Sequence, residues 1–302
     1  MEKNNITSLS FIGLGIMGKP MAKNLLKTGY SLIVHNRSQE PVEELIKAGA
    51  QKAVSPKEAA EKSSIIITML PNSPDVESVI LGENGIIESA RAGQILIDMS
   101  SIEPLISQQI ARKLGKKGVE MLDAPVSGGE PGAIKGELAI MVGGKKEIFN
   151  KCLPIFEVLG KSAVLVGDIG AGGFAKLANQ IIVAMNIAAI SEAFVLGQKA
   201  GLNPDKLFQA IRGGLAGSRV MDAKIPMITE GNFNPGFKIK LHDKDIKNVL
   251  KTASDLQVPL PLTGLIEQIM TSLLVGGKGG ELDHGGIVQY FEKLAGVEVR
   301  KM

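Results

Sequence analysis

The sequence predicts a mostly parallel, helix-covered α/β sheet in its first half and an all-helical domain in its second. Three observations carry this. Short β-rich runs alternate with helix-like segments from residue 9 to about 167. A glycine-rich stretch, FIGLGIMGKPMAKN at 11–24, directly follows the first run. Beyond about residue 168 no convincing strand pattern remains, and long helical stretches are broken by turns rich in Gly and Pro.

The strand runs are SFIG (10–13), SLIVHN (31–36), SIIITML (64–70), QILIDMS (94–100), VEMLDAPV (119–126), LAIMVGG (138–144) and SAVLVG (162–167). Several are almost continuously apolar, as strands buried on both faces should be. Between them, Met17, Met21, Leu25 and Leu26 recur at helical spacing. Pro20 falls in the first turn of that helix, where a missing N–H does little harm. In SPKEAA (55–60), Ser55 is a predicted N-cap, Pro56 suits the first helical position and Glu58 completes a capping box. Strand-helix-strand repetition implies a parallel sheet with helices on its faces.

After 168 the breaks fall at GLNPD (201–205), GNFNPGF (231–237), VPLPL (258–262) and GGKGG (276–280). The tract from about 172 to 200 reads as one helix about 45 Å long, joining the two domains. Within it, LANQIIVAMNIAAISEAFVLGQKA (177–200) carries Asn179, Gln180, Asn186 and Glu192. It is therefore read as a buried helix that falls short of a membrane span.

Bulk composition narrows the function classes. A length of 302 residues suggests about two domains. The net charge of +3, from 34 basic and 31 acidic residues, is too small to argue for nucleic acid. With no Trp there is little stacking platform for bases. Cys152 is the one cysteine, which excludes an internal disulfide and a CxxC site and fits a reducing compartment. His35, His242 and His284 lie far apart in sequence, and no metal site is expected. The polar start, MEKNNITSLSF, shows no leader pattern, so a cytoplasmic protein without a membrane partner is expected.

The glycine stretch has the context that a dinucleotide site requires, with a strand before it and a helix after it. Gly13 allows the tight turn, Gly15 lets backbone approach a pyrophosphate, and Gly18 permits close packing of helix on strand. Leu14, Ile16 and Met17 complete the cofactor loop. Helix-start amides then face the phosphates. This is a Rossmann-type unit, assigned to residues 1–168, with a helical substrate and oligomerisation domain at 169–302. At the end of the second strand the sequence is VHNRS. An acidic residue there would bind the ribose 2′-hydroxyl of NAD. Asn36 is uncharged, Arg37 suits a 2′-phosphate and Ser38 adds a donor, which favours NADP(H) and leaves NAD(H) open.

FIGLGIMGKPMAKN, with MLPN (69–72), DMSS (98–101), DAPVSGG (123–129), GAGGFAKLANQ (170–180) and HDKD (242–245), closely resembles the β-hydroxyacid dehydrogenase family over nearly the whole chain. IRGGLAGSRVMDAK (211–224) and DHGG…YFEKLAGVEV (283–299) narrow the resemblance to the branch that reduces tartronate semialdehyde to glycerate. The resemblance implies a Rossmann-type first domain, a helical second domain and a homodimer or homotetramer. It assigns the catalytic lysine to Lys176, and the substrate carboxylate and hydroxyl to Ser127, Gly128 and Gly129. It also assigns cofactor contacts to Leu70, Pro71, Asn72, Ser101 and Lys244. Asn179, one helical turn from Lys176, either holds the lysine or binds substrate. Gln180 stands where much of the family has Asn. Asp123 is expected to support its strand, and His242 to be structural.

The chemistry follows from what reduction of an aldehyde needs: a hydride donor, a proton for the developing alkoxide and a held carboxylate. An ammonium at Lys176 would stabilise the alkoxide and then release the proton. Burial and the positive ring of an oxidised nicotinamide would both favour its neutral form. The same chemistry on 3-hydroxyisobutyrate, glyoxylate or succinic semialdehyde is the nearest alternative. A decarboxylating 6-phosphogluconate-type enzyme fits less well, because Asn179 replaces the histidine expected near the lysine. A non-catalytic nucleotide-binding module is the alternative of another class, and Lys176 argues against it.

Overall fold

A computed structural model describes residues 8–275 and 277–301. The polar start at 1–7, on which the absence of a leader was read, lies outside the described residues, as do positions 276 and 302. The chain divides into two compact units, Met1–Lys176 and Leu177–Met302.

The first unit opens with β1 (Leu9–Ile12), α1 (Gly18–Lys27), β2 (Leu32–His35), α2 (Glu40–Lys47) and β3 (Gln51–Lys52). It continues through α3 (Pro56–Glu61), β4 (Ile65–Thr68), α4 (Ser73–Leu81), α5 (Ile86–Ser89), β5 (Ile95–Asp98) and α6 (Pro104–Gly115). It ends with β6 (Glu120–Asp123), β7 (Val126–Ser127), α7 (Gly129–Lys135), β8 (Leu138–Gly143), α8 (Lys146–Leu159) and β9 (Gly160–Gly167). The α3 start is as expected: the Ser55 hydroxyl accepts the Glu58 N–H at 3.1 Å.

Among the described residues the strands form one sheet in the order β3-β2-β1-β4-β5-β6-β8-β7, with β9 paired to β8. Strands β1 to β6 pair in parallel, and β8 runs antiparallel to β6 and β7. Side-chain alternation divides each apolar run between two covered faces. Phe11, Val34, Ile67 and Ile97 pack with Met21, Leu25 and Phe156 on one face. Ile12, Ile33, Ile66 and Leu96 pack with Val76, Ile80 and Ile110 on the other. Cys152 is enclosed in the first cluster, and burial pushes its thiol up to about 12, so it stays protonated.

The strand pattern differs from expectation in two places. β3 is two exposed polar residues at a sheet edge, with no apolar run to announce it. The run at 119–126 is two strands, interrupted at Ala124 and Pro125, although β6 and β7 pair with β8 in one antiparallel register, Asp123↔Gly143, Val126↔Ile140 and Ser127↔Ala139. Proline lacks the N–H that a continuous ladder needs.

The 29-residue α9 (Ala171–Lys199) runs from the first unit into the second. Helices α10 (Pro204–Ile211), α11 (Arg219–Thr229), α12 (Ile239–Asp255), α13 (Pro261–Leu274) and α14 (Val288–Ala295) follow. The turns act as stops and starts: Asn203 accepts the Lys206 N–H and Ser218 accepts the Met221 N–H. Ile187, Phe194, Ile225, Ile246, Met270 and Val288 form this unit's core. One expectation needs correction here. An 18-residue window of α9 has a mean hydropathy of 1.7, so length and composition alone would allow a membrane span. The burial of Ile187, Phe194 and their neighbours supports the other part of that expectation, a core helix.

Candidate active site

In the first unit the parallel strands end together. Ile12 is level with His35 and Thr68, Thr68 with Asp98, and Asp98 with Asp123. The glycine loop, residues 36–38, residues 70–72 and Ser101 therefore all leave one edge of the sheet. The strand order reverses between β1 and β4, the position at which such sheets bind dinucleotides.

The glycines divide by the reason each is bare. Gly13 has φ +97°, and a Cβ there would lie 2.3 Å from the Met69 carbonyl oxygen. A Cβ on Gly18 would lie 1.9 Å from the Gly13 carbonyl oxygen and 3.1 Å from the Phe11 ring. The fold itself demands both. At Gly15 no described atom comes within 4 Å of that position. Internal packing does not require this glycine, and its bare backbone leaves room for close approach by a ligand. Met17, at the N-cap of α1, makes no side-chain bond to the first turn, where the Lys19 N–H donates to the Gly15 carbonyl and Pro20 has no N–H, so the amides suited to a phosphate are those of the loop ahead of it. The residues present thus fit a dinucleotide.

Asn36 has a role that sequence reasoning missed. Its side-chain oxygen accepts the Leu14 N–H at 2.9 Å, and its amide donates to the Ser38 carbonyl at 3.0 Å. It ties the end of β2 to the glycine loop, while Arg37 and Ser38 are exposed beside it. A second tie was also missed. The Leu70 N–H donates to the Ser100 hydroxyl at 2.9 Å, and that hydroxyl donates to Asp98 Oδ1 at 2.6 Å. The Thr68 hydroxyl reaches the same oxygen at 2.8 Å. Burial pushes the Asp98 carboxyl up to about 6, against the opposing hydrogen bonds from Ser100 and Thr68.

Ser127 ends β7 half-buried, followed by Gly128 at φ +140° and Gly129 at φ +61°. Positive φ at both positions is what glycine supplies without strain. Asp123 lies four residues before Ser127. Its Oδ1 accepts the Gly170 N–H at 2.6 Å and its Oδ2 the Gly173 N–H at 2.7 Å. Burial pushes this carboxyl up to about 6 as well, and these amide bonds oppose the rise. Lys176 follows on α9, one turn beyond Gly173, and is 7% exposed. A lysine so enclosed differs from the usual solvated lysine.

In the second unit three of the expected site residues meet in one network. The Asn179 amide donates to the Gln180 side-chain oxygen at 2.8 Å, and the Gln180 amide donates to Asp245 Oδ2 at 2.6 Å. The Lys244 ammonium is 2.9 Å from Asp245 Oδ1. His242 is fully buried, with Nδ1 3.1 Å from His284 Nδ1, so one of these nitrogens carries the proton and the other accepts. Phe237 meets both rings edge-on.

Residues 8–167 match the family model described as the NAD binding domain of 6-phosphogluconate dehydrogenase. Residues 170–291 match the model described as NAD-binding of NADP-dependent 3-hydroxyisobutyrate dehydrogenase. With the sheet edge and the enclosed lysine above, these matches define the class: the chain belongs to the NAD(P)-dependent β-hydroxyacid dehydrogenase family, oxidoreductases acting on CH–OH groups. Among its relatives, the 2-hydroxy-3-oxopropionate reductase of Escherichia coli (strain K12) is 44% identical over 95% of this chain and 98% of its own. The 2-(hydroxymethyl)glutarate dehydrogenase of Eubacterium barkeri is 38% identical over 99% of both chains. The solved 3-hydroxyisobutyrate dehydrogenase of Mycobacterium tuberculosis, determined with L-serine, is 28% identical and superposes with a TM-score of 0.88 over 95% of this chain and 99% of that one.

Proposed function

We propose that this protein reduces tartronate semialdehyde (2-hydroxy-3-oxopropanoate) to glycerate, reversibly, with NADP(H) favoured over NAD(H). The observation that carries the reading is Lys176, a lysine 7% exposed just beyond a glycine-rich helix start held by Asp123. The substrate assignment draws on the 44% identity to the Escherichia coli reductase.

A nicotinamide cofactor held by the glycine loop would supply or accept the hydride. Lys176 gives the proton to the developing alkoxide and takes it back in oxidation. Ser127 and the amides of Gly128 and Gly129 hold the carboxylate and hydroxyl, keeping the carbonyl aligned. Asn179 and Gln180 complete the substrate contacts. Gly13 to Gly18, through Leu14, Ile16 and Met17, hold the pyrophosphate. Asn36, Arg37 and Ser38 take the adenosine side. Leu70, Pro71, Asn72, Ser101 and Lys244 contact the rest of the cofactor. Arg37 is exposed, and its guanidinium suits a 2′-phosphate. The functional boundary is proposed at 168/169, with a homodimer or homotetramer working in the cytoplasm.

A second substrate reading has its own support, the 38% identity to 2-(hydroxymethyl)glutarate dehydrogenase over 99% of both chains. Small sites separate one methylene by only about 1–3 kcal/mol, so related hydroxy acids compete closely. Initial rates with tartronate semialdehyde, glyoxylate and succinic semialdehyde against NADPH and NADH, and with glycerate, 3-hydroxyisobutyrate and 2-(hydroxymethyl)glutarate against NADP+ and NAD+, test the proposal, each direction compared within itself. The highest kcat/KM is expected for tartronate semialdehyde with NADPH. A higher value for any other substrate would reassign the enzyme.

A further inference from the structure

α9 begins without a local side-chain cap, although the Ala171 N–H donates to the Asp168 carbonyl at 2.9 Å. A helix leaves its first amides unpartnered inside itself, and a Ser, Thr, Asn or Asp side chain usually accepts from them. Here the sequence at 170–173 is GAGG, which carries no such side chain. The acceptor is instead Asp123, 47 and 50 residues earlier in the chain, with one oxygen on the Gly170 N–H and the other on the Gly173 N–H.

The fit around this cap is tight. A Cβ on Gly172 would lie 2.4 Å from the Met141 carbonyl oxygen and 2.5 Å from that of Asp123. One on Gly143 would lie 2.3 Å from Asp123 Oδ1. The first turn of α9 is thereby set against the ends of β6 and β8 with little freedom. Lys176 is three residues further, about 4.5 Å along the helix axis. From the other end of Asp123 the chain passes through Ala124 and Pro125 into β7 and Ser127. One short segment thus carries both the helix cap and the start of the proposed carboxylate site.

We propose that Asp123 is a positioning residue for the reduction: by holding the first turn of α9 it sets where the Lys176 ammonium stands relative to Ser127, Gly128 and Gly129. The inference rests on Lys176 being the general acid. Asp123 makes no contact with substrate in this scheme. Asn in its place would keep the shape but set an amide N–H₂ against one of two backbone donors, releasing one side of the cap.

The test is a double-mutant cycle with Asp123→Asn, Lys176→Ala and the double variant, assayed with NADPH and tartronate semialdehyde. Asp123→Asn is expected to lower kcat at least about tenfold, to leave the NADPH dissociation constant within about twofold, and to add almost nothing to the loss in Lys176→Ala. Amide hydrogen exchange should quicken in 170–176 and remain unchanged in β1 and α1. Losses that multiply in the double variant would overturn the inference, since Asp123 would then act without the lysine. So would wild-type kcat in Asp123→Asn beside an inactive Lys176→Ala, or unchanged exchange at 170–176. Wild-type kcat in Lys176→Ala would instead overturn the general-acid reading beneath it. If Asp123→Asn does not fold, Asp123→Ser, which keeps one acceptor oxygen, enters the same cycle with the same expected outcomes.

Discussion

Replacing Asp98 by Asn should change how stability depends on pH, with a predictable sign. Asp98 is 1% exposed, and its Oδ1 accepts from Thr68, from the Ser100 hydroxyl and from the Ser100 N–H. Its Oδ2 accepts no hydrogen bond among the described residues. The ionised form is therefore poorly served on one side, and burial raises the carboxyl from 3.8 to about 6. The native state binds this proton more readily than the unfolded chain, so stability is fullest below about 4 and is lost as pH rises through about 6. That gap corresponds to roughly 3 kcal/mol. Asn cannot titrate, and its buried amide adds a cost that does not vary with pH. Urea unfolding of both proteins at several pH values between 4 and 8 isolates the effect. Wild type should gain about 2–3 kcal/mol on the variant as pH falls from 7 to 4. Parallel curves, or a relative gain by the variant at low pH, would refute the reasoning.

Two glycine substitutions should separate fold from ligand. Gly18→Ala forces a Cβ within 1.9 Å of the Gly13 carbonyl oxygen, so unfolding should show a loss of at least about 1–3 kcal/mol. Gly15→Ala meets no described atom within 4 Å, so stability should stay within about 0.5 kcal/mol while NADPH titration shows weaker binding. Loss of stability at Gly15 with intact binding would contradict this division. Arg37→Ala should weaken NADPH about tenfold more than NADH, the scale of one charge-assisted hydrogen bond, as read by fluorescence titration. Equal losses for both cofactors would reverse the proposed preference.

Much of the fold was legible because each buried strand is an apolar run flanked by turns. β3 was hidden because a two-residue polar edge strand carries no such signal. The split of β6 from β7 was signalled by Pro125 within the run, although the apolar pattern continued across it. In the candidate site the glycine loop was readable because its spacing reflects backbone geometry. The partners of Asn36, Asp98 and Asp123 were not readable: the first two bonds join neighbouring strand ends and the third joins the end of β6 to the start of α9, which only the fold brings together. The bare GAGG start of α9 did hold one clue, since a helix start without a capping side chain leaves amides open to a distant acceptor, to water or to a ligand. Lys176 itself stood out through a motif match alone, and its burial is a finding of the structure.

The account turns on the lysine. Lys176→Ala, assayed at saturating NADPH and tartronate semialdehyde with the NADPH dissociation constant measured in parallel, should lose at least ~10²-fold in kcat while cofactor binding holds. Turnover at the wild-type rate would contradict it.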